Sequence, residues 1–390
     1  MERVLAIYAA VALAGCNLVF GLQRENPAPV DHAVYAATEV IFERDNQTDL
    51  VVLDRNPEAP ALHVVFGDTE AKFGERIVTK HLEFRPLAFT EVRIESDQER
   101  SVFVAGVDAQ GKGRFGRIRH RLPTEFDEVI EYALAQDGPE ISAVSLISVV
   151  NNFARVAMIT NGGVVVTKPF SFDEPTLELI ALEPVVSPAA ILFVTVDDLW
   201  VIDDDHASKY PIEADGSLGP PMRQDWPATP SDRRAASNSF GFGVGQRIHS
   251  FSTRCVAGTC TLTWHAISSI EPLGVEDRTV DAAEISDLIT TELGDTISAA
   301  DVAIYGRQAD DDSVAAIYLD HSYDGTTFST HPAIQRFPRS ACADIGEVVT
   351  MTAALMTPTS YRSVVLIDDA GRGYAIGLSG ICTALALQIP

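Results

Sequence analysis

Positive charge is concentrated between residues 112 and 121, in the segment Lys-Gly-Arg-Phe-Gly-Arg-Ile-Arg-His-Arg. If this segment forms a β-strand, its two-residue period places Arg117, Arg119 and Arg121 on one face. Three adjacent guanidinium groups repel one another and need anions nearby. Those anions are either carboxylates of the acidic segment at residues 125–128 or a carboxylate, phosphate or sulfate ligand. The three arginines are therefore a candidate anion-binding site.

Two runs of three aspartates, at residues 203–205 and 310–312, could offer oxygen ligands to calcium. Calcium takes about six to eight such ligands, and neither run has the spacing of an EF-hand loop. Consecutive aspartates in an acidic chain are typical of a solvated turn. We predict solvated turns here, with no metal ion and no cofactor.

Familiar catalytic patterns are incomplete. The segment Gly-Phe-Gly-Val-Gly at residues 241–245 lacks the GxGxxG spacing of a phosphate-binding loop. The segment Gly-Leu-Ser-Gly at residues 377–380 falls short of the GxSxG nucleophile elbow. The nine histidines include no HExxH motif. We predict no catalytic residue.

Composition excludes two classes of protein. Hydrophobic residues make up 46% of the 390 residues, too many for a disordered chain. The formal net charge is −26, which argues against a nucleic-acid partner because phosphate binding needs a basic surface. Beyond the first twenty residues, no apolar run reaches the roughly 18 to 20 residues that span a bilayer. We predict a soluble folded body.

The N-terminus has the polarity of an export signal. Arg3 precedes an apolar run that ends in Leu13-Ala14-Gly15-Cys16. This ending resembles the lipobox of bacterial lipoproteins. The resemblance implies removal of residues 1–15, a diacylglyceryl group on the Cys16 thiol and acylation of its new amine. Lasting attachment to a membrane needs more than one acyl chain, which such a cysteine would carry.

The predicted location follows from that resemblance. Residues 16–31 are predicted to form a polar tether, and residues 32–390 a propeller domain. By analogy with enteric lipoproteins, Asn17 after the cysteine favours the outer membrane over the inner membrane of the bacterial envelope. The alternative is an ordinary cleaved signal peptide that leaves Cys16 as a free thiol.

The four remaining cysteines are an even number, as expected of paired thiols in an oxidising compartment. Cys255 and Cys260 flank a short segment between two strand-like runs, and we predict that they are bonded across a hairpin. Cys342 and Cys382 then form the second disulfide. A zinc site at the Cys255–Cys260 pair lacks further ligands at suitable spacing.

Turn signals recur along the chain after short β-branched runs. Asp49 to Asp54 nearly matches Asp198 to Asp203, and the turn beginning at Asp108 resembles the one beginning at Asp368. Both separations are multiples of about 50 to 52 residues, within the range of propeller blades. The predicted turns lie at residues 54–57, 108–113, 161–163, 215–216, 255–260, 320–325 and 368–373. The sequence thus predicts an all-β propeller of about seven blades, with a tandem β-sandwich as the alternative.

One further resemblance supports a propeller. The segment Ser-Tyr-Asp-Gly-Thr-Thr-Phe at residues 322–328 is similar to the Asp-box hairpin of sialidase-like propellers. In that family the motif braces a turn, so it implies the fold more than an activity. Any tight Asp-Gly hairpin would have a similar sequence.

Two segments fit helices better than strands. Residues 281–294 have a potential N-cap in Asp281 and an apolar face at Ile285, Leu288 and Ile289. Residues 124–138 allow a similar interpretation. The proline-rich stretch at residues 210–237 is predicted to be a long surface excursion.

These observations leave two hypotheses for function. The first is a non-catalytic, envelope-anchored propeller that binds a protein or glycan partner. The second is a glycan-directed hydrolase or lyase of the sialidase type, in which arginines hold a substrate carboxylate. Three arginines on one strand fit the second hypothesis loosely, because a sialidase takes its arginines from different blades.

Overall fold

The computed structural model describes residues 35–389 with gaps. The gaps are 41–48, 68–72, 94–99, 122–124, 127–129, 135–139, 174–175, 186, 196, 229, 242–244, 257–258, 269–274, 281–284, 293–301, 309–313, 324–327, 338–341, 347, 357–360 and 378–381. For several strands, chiefly in the last three sheets, the description covers the backbone alone. The signal peptide, Cys16 and the tether lie outside the described residues.

The described residues form seven β-sheets that follow one another along the chain. The first contains β1 (Tyr35–Val40), β2 (Asp49–Asp54), β3 (Ala61–Gly67) and β4 (Phe73–His81). The second contains β5 (Arg85–Arg93), β6 (Arg100–Val107), β7 (Gly113–Arg121), β8 (Glu125–Phe126) and β9 (Ile130–Leu134). The third contains β10 (Ile141–Val150), β11 (Phe153–Thr160), β12 (Gly163–Thr167), β13 (Phe170–Ser171) and β15 (Leu179–Glu183), while β14 (Thr176–Leu177) pairs with β9 of the second sheet.

The remaining four sheets have four strands each. The fourth contains β16 (Ile191–Val194), β17 (Asp198–Ile202), β18 (His206–Pro211) and β19 (Met222–Asp225). The fifth contains β20 (Arg233–Gly241), β21 (Gly245–Val256), β22 (Thr259–Ser268) and β23 (Val275–Val280). The sixth contains β24 (Ile285–Glu292), β25 (Val302–Gln308), β26 (Val314–Tyr323) and β27 (Phe328–Phe337). The seventh contains β28 (Val348–Met356), β29 (Tyr361–Asp368), β30 (Arg372–Gly377) and β31 (Cys382–Gln388).

Apolar side chains on both faces of these strands join each sheet to its neighbours. In β6, for example, Phe103 packs toward the third sheet, whereas Val102 and Val104 pack toward the first. Such two-sided burial is expected of strands inside a stack of sheets. Similar clusters join the third sheet to the fourth and the fourth to the fifth. The interior of the molecule is therefore a series of apolar seams between sheets.

The stack closes on itself, and the fold is an all-β propeller of seven blades. The seam between the last and first sheets buries Val365 and Ile367 against Leu50 and Val52. From the second sheet to the seventh, the first strands of neighbouring sheets lie side by side, and β28 contacts β1. The first and last blades are each built from one continuous stretch of chain, so no strand is exchanged between them. A tandem β-sandwich is excluded.

The predicted turns match the connection between second and third strands in five blades. These are the turns at residues 54–57, 108–113, 161–163, 255–260 and 368–373. In the fourth and sixth blades the predicted turn connects the third and fourth strands instead of the second and third. Asp215 and Gly216 join the third and fourth strands, as do residues 324–327, while the aspartate runs at residues 203–205 and 310–312 occupy the second-to-third connections. Residues 310–312 and the Asp-box loop lie outside the described residues.

Both helix predictions were wrong. Residues 285–292 form β24, the first strand of the sixth blade, and residues 124–138 contain β8 and β9. The surface excursion predicted at residues 210–237 includes β19 and the beginning of β20. Among the described residues, the structure has no helix of the length and apolarity needed to cross a membrane.

Candidate functional site

A pocket of about 250 Å³ opens between the third and fourth blades. It lies on the face that carries the turns between first and second strands and between third and fourth strands. The side chains and backbone that line it come from both blades: Ser148, Val150, Asn151, Phe153, Arg155, Pro169, Asp215 and Gly216.

The β10–β11 hairpin forms one wall of the pocket. Its two-residue turn is Asn151-Asn152, with φ angles of 52° and 66°. Positive φ at both central positions is the geometry of a type I′ turn, which asparagine tolerates better than most residues. The turn brings Phe153 to the rim, where 48% of its surface is exposed. The strand β13 pairs with Phe153 and holds its backbone in place.

The fourth blade supplies the opposite wall through the turn between β18 and β19. Gly216 has a φ of 76°, and a Cβ atom there would lie 2.3 Å from the Ser148 hydroxyl oxygen. Only glycine allows this approach. Arg155 Nη1 donates a hydrogen bond to the Gly216 carbonyl oxygen at 3.1 Å. The two blades are thus joined directly at the floor of the pocket.

Asp215 contributes a negative charge to the fourth-blade wall. Its side chain accepts a hydrogen bond from the Ser217 backbone N–H at 2.8 Å. Hydrogen bonds from Ser217 and the nearby charge of Arg155 hold the pKa of the Asp215 carboxyl below its usual value. The carboxylate is therefore ionised at neutral pH beside the guanidinium of Arg155.

The pocket combines an apolar side with a polar side. Val150, Phe153 and Pro169 offer apolar surface, whereas Ser148, Asn151, Arg155 and Asp215 offer hydrogen-bond donors and acceptors. Its volume is below the roughly 300 to 1,000 Å³ typical of sites for drug-sized ligands. A group the size of one sugar ring or one side chain fits this space and this chemistry.

The predicted arginine cluster lies elsewhere, on β7 in the second blade. Arg117 is only 3% exposed, its Nε donates to the Ser101 hydroxyl at 2.9 Å, and its guanidinium carbon lies 4.2 Å from the centre of the Phe172 ring. Arg119 is half-buried on the same face, and the side chain of Arg121 lies outside the described residues. Arg117 therefore belongs to the seam between the second and third blades. Anion binding at these arginines stays a prediction.

The solvated turn predicted at residues 203–205 is wrong. Asp203 is fully buried and accepts hydrogen bonds from the backbone N–H groups of Ser187 and Asp204. Asp204 forms a buried ion pair with Arg234 of the fifth blade, at 2.8 Å from Oδ1 to Nη2. Burial of a carboxylate costs little only when such partners are present. These aspartates therefore hold the fourth blade together and join it to the fifth.

Three possible metal-ligating atoms of Asp203, Asp205 and His206 lie within 4.8 Å of one another. Asp203 is already bonded to two backbone N–H groups, and Asp205 Oδ1 lies 2.5 Å from His206 Nδ1. We assign this cluster a structural role.

The cysteines lie in hairpin and blade-closing positions. Cys342 and Cys382 form a disulfide, the pairing expected from the cysteine count. Cys255 and Cys260 face each other in the register of β21 and β22, and their side chains lie outside the described residues.

Sequence reasoning missed the pocket because its walls come from segments about sixty residues apart in the chain. The Asn151-Asn152 pair and the Asp215-Gly216 pair are both recognisable turn signals. Neither signal indicates that the two turns meet at one seam. The exposed phenylalanine immediately after an Asn-Asn turn was the clue available in the sequence.

Comparison with solved structures finds a similarity to a lectin that supports the fold. The crystal structure of BP39L lectin from Burkholderia pseudomallei aligns with a TM-score of 0.55 and 14% identity, covering 91% of this chain and 100% of the lectin. The WD40 domain of SCAP from fission yeast aligns with a TM-score of 0.42 and 12% identity, covering 88% of this chain and 96% of that domain. No protein-family model and no curated protein matches the sequence. At these identities the likeness concerns the fold alone.

Proposed function

We propose that this chain is a non-catalytic binding module whose propeller presents the pocket between its third and fourth blades to a glycan. The observation that carries the proposal is the exposed Phe153 ring beside a set of convergent polar groups. An exposed aromatic side chain at a concave polar site is a common mark of a binding surface. The similarity in fold to a protein described as a lectin is consistent with this role.

A sugar matches both sides of the pocket. The C–H face of a pyranose ring is apolar and weakly positive, so it packs well on the negative face of an aromatic ring such as Phe153. Its hydroxyl groups both donate and accept hydrogen bonds, as the polar side of the pocket requires. A protein partner would instead insert a single side chain, and the experiment below separates these two ligands.

Replacing Phe153 with alanine tests the proposal. The substitution should weaken glycan binding at least about tenfold, because the loss of a stacking surface of this size costs roughly 1 to 2 kcal/mol. Binding is first detected on a glycan array and then measured by isothermal titration calorimetry. Ile180→Ala is the matched control, since Ile180 is also an exposed apolar residue, 42% exposed, and lies outside the pocket.

The outcomes distinguish the possible ligands. Loss of binding in Phe153→Ala with unchanged binding in Ile180→Ala supports the proposal. Absence of binding to any glycan, with retention of a protein partner that depends on Phe153, would replace the glycan by a protein. Glycan binding that survives the Phe153 substitution would show that the pocket is not the site.

We also propose that Cys16 anchors the chain to the outer membrane of a bacterial envelope through acyl groups. The lipobox-like segment supports this proposal. Tyr35, the first described residue, pairs with Asp54 at the propeller face that carries the second-to-third turns. The pocket opens on the opposite face.

The Cys16→Ser variant tests the anchor. Without the thiol no acyl chain can be attached, so the protein should move from the membrane fraction to the soluble fraction of cells. Cys255→Ser is a control that leaves the lipobox intact and should remain with the membranes. An unchanged membrane fraction for Cys16→Ser contradicts the anchor and leaves the glycan proposal standing.

A further inference from the structure

We infer that the pocket selects an uncharged sugar residue over the corresponding acidic sugar, and that Asp215 determines this selectivity. The inference rests on the proposed function, because it specifies the class of glycan that the same pocket binds.

The first argument is charge. The residues lining the pocket include one cation, Arg155, and one anion, Asp215. Arg155 already donates to the Gly216 carbonyl oxygen and interacts electrostatically with Asp215. An acidic sugar would bring a second carboxylate close to Asp215, and the chain as a whole carries a net charge of −26. Like charges at such separations repel one another more strongly near a protein surface than in bulk water.

Lys168, the neighbour in sequence of a lining residue, does not change this balance. Lys168 precedes the lining residue Pro169, but its ammonium group lies 2.7 Å from a carboxylate oxygen of Glu178. Both side chains are exposed, Lys168 by 53% and Glu178 by 63%. A ligand carboxylate would therefore find a lysine whose charge is already balanced.

The second argument is the pattern of hydrogen-bonding groups. A carboxylate only accepts hydrogen bonds, a guanidinium only donates them, and Asn151 and Ser148 can do both. A pair of neighbouring hydroxyl groups meets this pattern, with one donating to Asp215 and the other accepting from Arg155. A ligand carboxylate offers acceptors alone, so Asp215 gains no donor from that group of the ligand.

The third argument is that the two walls are fixed relative to each other. A Cβ atom at position 216 would clash with Ser148, and the Arg155 bond spans the seam between the blades. The backbone that carries Asp215 is therefore fixed relative to the third-blade wall, and a site that does not adapt discriminates more strongly between ligands.

The experiment compares matched neutral and acidic ligands. Titration calorimetry with oligosaccharides of galactose and of galacturonic acid, and of glucose and glucuronic acid, gives the affinity ratio for wild type and for Asp215→Asn. The wild type should prefer the neutral member of a pair at least about tenfold, and the variant should lower that preference by about the same factor. Asp225→Asn is the control, because Asp225 is an exposed carboxylate on β19 that pairs with Arg223 outside the pocket.

The results separate this inference from the proposed function. Equal binding of neutral and acidic sugars, or an unchanged ratio in Asp215→Asn, overturns the selectivity while Phe153→Ala still abolishes binding. Failure of every neutral and acidic saccharide to bind the wild type overturns both. A reduced ratio in Asp215→Asn with no change in Asp225→Asn supports the inference.

Discussion

At the scale of single residues, His206 has an unusual environment for a histidine. It is 1% exposed, its Nδ1 lies 2.5 Å from Asp205 Oδ1, and its Nε2 lies 3.8 Å from Glu183 Oε1. Burial alone would lower the pKa of His206, and Arg223 also lowers it, but the two carboxylates outweigh both effects and raise the pKa. Glu183 belongs to the third blade, so the imidazolium links the third and fourth blades.

This arrangement predicts a pH-dependent contribution to stability. Because the pKa of His206 is higher in the folded state than its ordinary value of about 6.5, the stabilisation is complete below that value and is lost as the pH rises through the folded pKa. His206→Gln should therefore lower the melting temperature by about 2 °C or more near pH 5.5 and by less near pH 8.5. Thermal melts at both pH values provide the measurement.

The exposed His81 on β4 provides the matched control, since His81→Gln should change stability little at either pH. An equal loss for His206→Gln at both pH values would mean that the contribution of His206 comes from packing rather than from its charge.

Residues of the candidate site were less predictable than residues of the turns. The pairing of Arg155 with Gly216 and the approach of Ser148 to Gly216 depend on how two blades pack, which local sequence does not encode. Arg117 and Ile118 lie on opposite faces of β7 as predicted, yet the contacts of Arg117 with a hydroxyl group and an aromatic ring were not predicted. The packing between neighbouring blades determines these contacts.

At the scale of structural elements, an aspartate at the end of a blade's second strand or directly after it braces the turn that follows. Asp108 Oδ1 accepts hydrogen bonds from the backbone N–H groups of Gln110 and Lys112, and Asp368 Oδ1 accepts them from Ala370 and Arg372. Both turns contain a glycine with φ above 70°. The sequence repeat that relates Asp108 to Asp368 is therefore a repeat of one turn structure.

Of these two aspartates, Asp368 contributes more to stability. It is fully buried, and its Oδ2 also accepts the backbone N–H of Gly346 at 2.9 Å and bonds Arg372. Asp368→Ala would leave several partly buried donors without their acceptor, and we expect a loss of about 2 to 4 kcal/mol in the free energy of unfolding. Denaturant titration measures this loss.

A control for this prediction is Asp215→Ala, because Asp215 is exposed and braces its turn through Ser217 alone. It should cost about 1 kcal/mol or less. A small effect of Asp368→Ala would show that water replaces the carboxylate at the turn.

The errors in the predicted elements have identifiable physical causes. Ile285, Leu288 and Ile289 are spaced as on a helix face, but the same residues form the first strand of the sixth blade, where the backbone of β24 pairs with β25. Tertiary contacts commonly override such weak local preferences. The turn positions in the fourth and sixth blades were displaced because Asp-Gly signals also occur between third and fourth strands. Blade number could still be predicted, since one turn of either kind occurs in every period.

At the scale of the whole molecule, the propeller closes without exchanging a strand between its first and last blades. The seventh blade contacts the first through both its innermost and its outermost strands, β28 with β1 and β31 with β4. The disulfide joins Cys342, just before β28, to Cys382 at the start of β31. It therefore links the two strands on which the closing seam depends.

Removing this disulfide should destabilise the entire ring. The bond closes a loop of about 41 residues, for which the loop-entropy model gives about 4 kcal/mol. The double variant Cys342→Ser and Cys382→Ser should lose stability of this order in denaturant titration. Reductant, which would also open the predicted Cys255–Cys260 bond, should lower the stability of the wild type by at least as much.

The predicted Cys255–Cys260 bond gives the comparison, because its short loop is worth about 2 kcal/mol in the same model. If reductant leaves the stability of the wild type unchanged, the Cys342–Cys382 bond does not hold the closing seam together.

Hydrogen exchange followed by mass spectrometry tests the central claim most directly, because it locates a bound ligand on the intact protein. A saturating concentration of a neutral oligosaccharide should slow amide exchange in residues 148–155 and 213–217, the two turns that line the pocket, and leave the arginine strand at residues 113–121 unchanged. Protection confined to these two turns is the result that the account predicts. Protection at the arginine strand alone, or no protection in either turn under conditions where the saccharide binds, would contradict it.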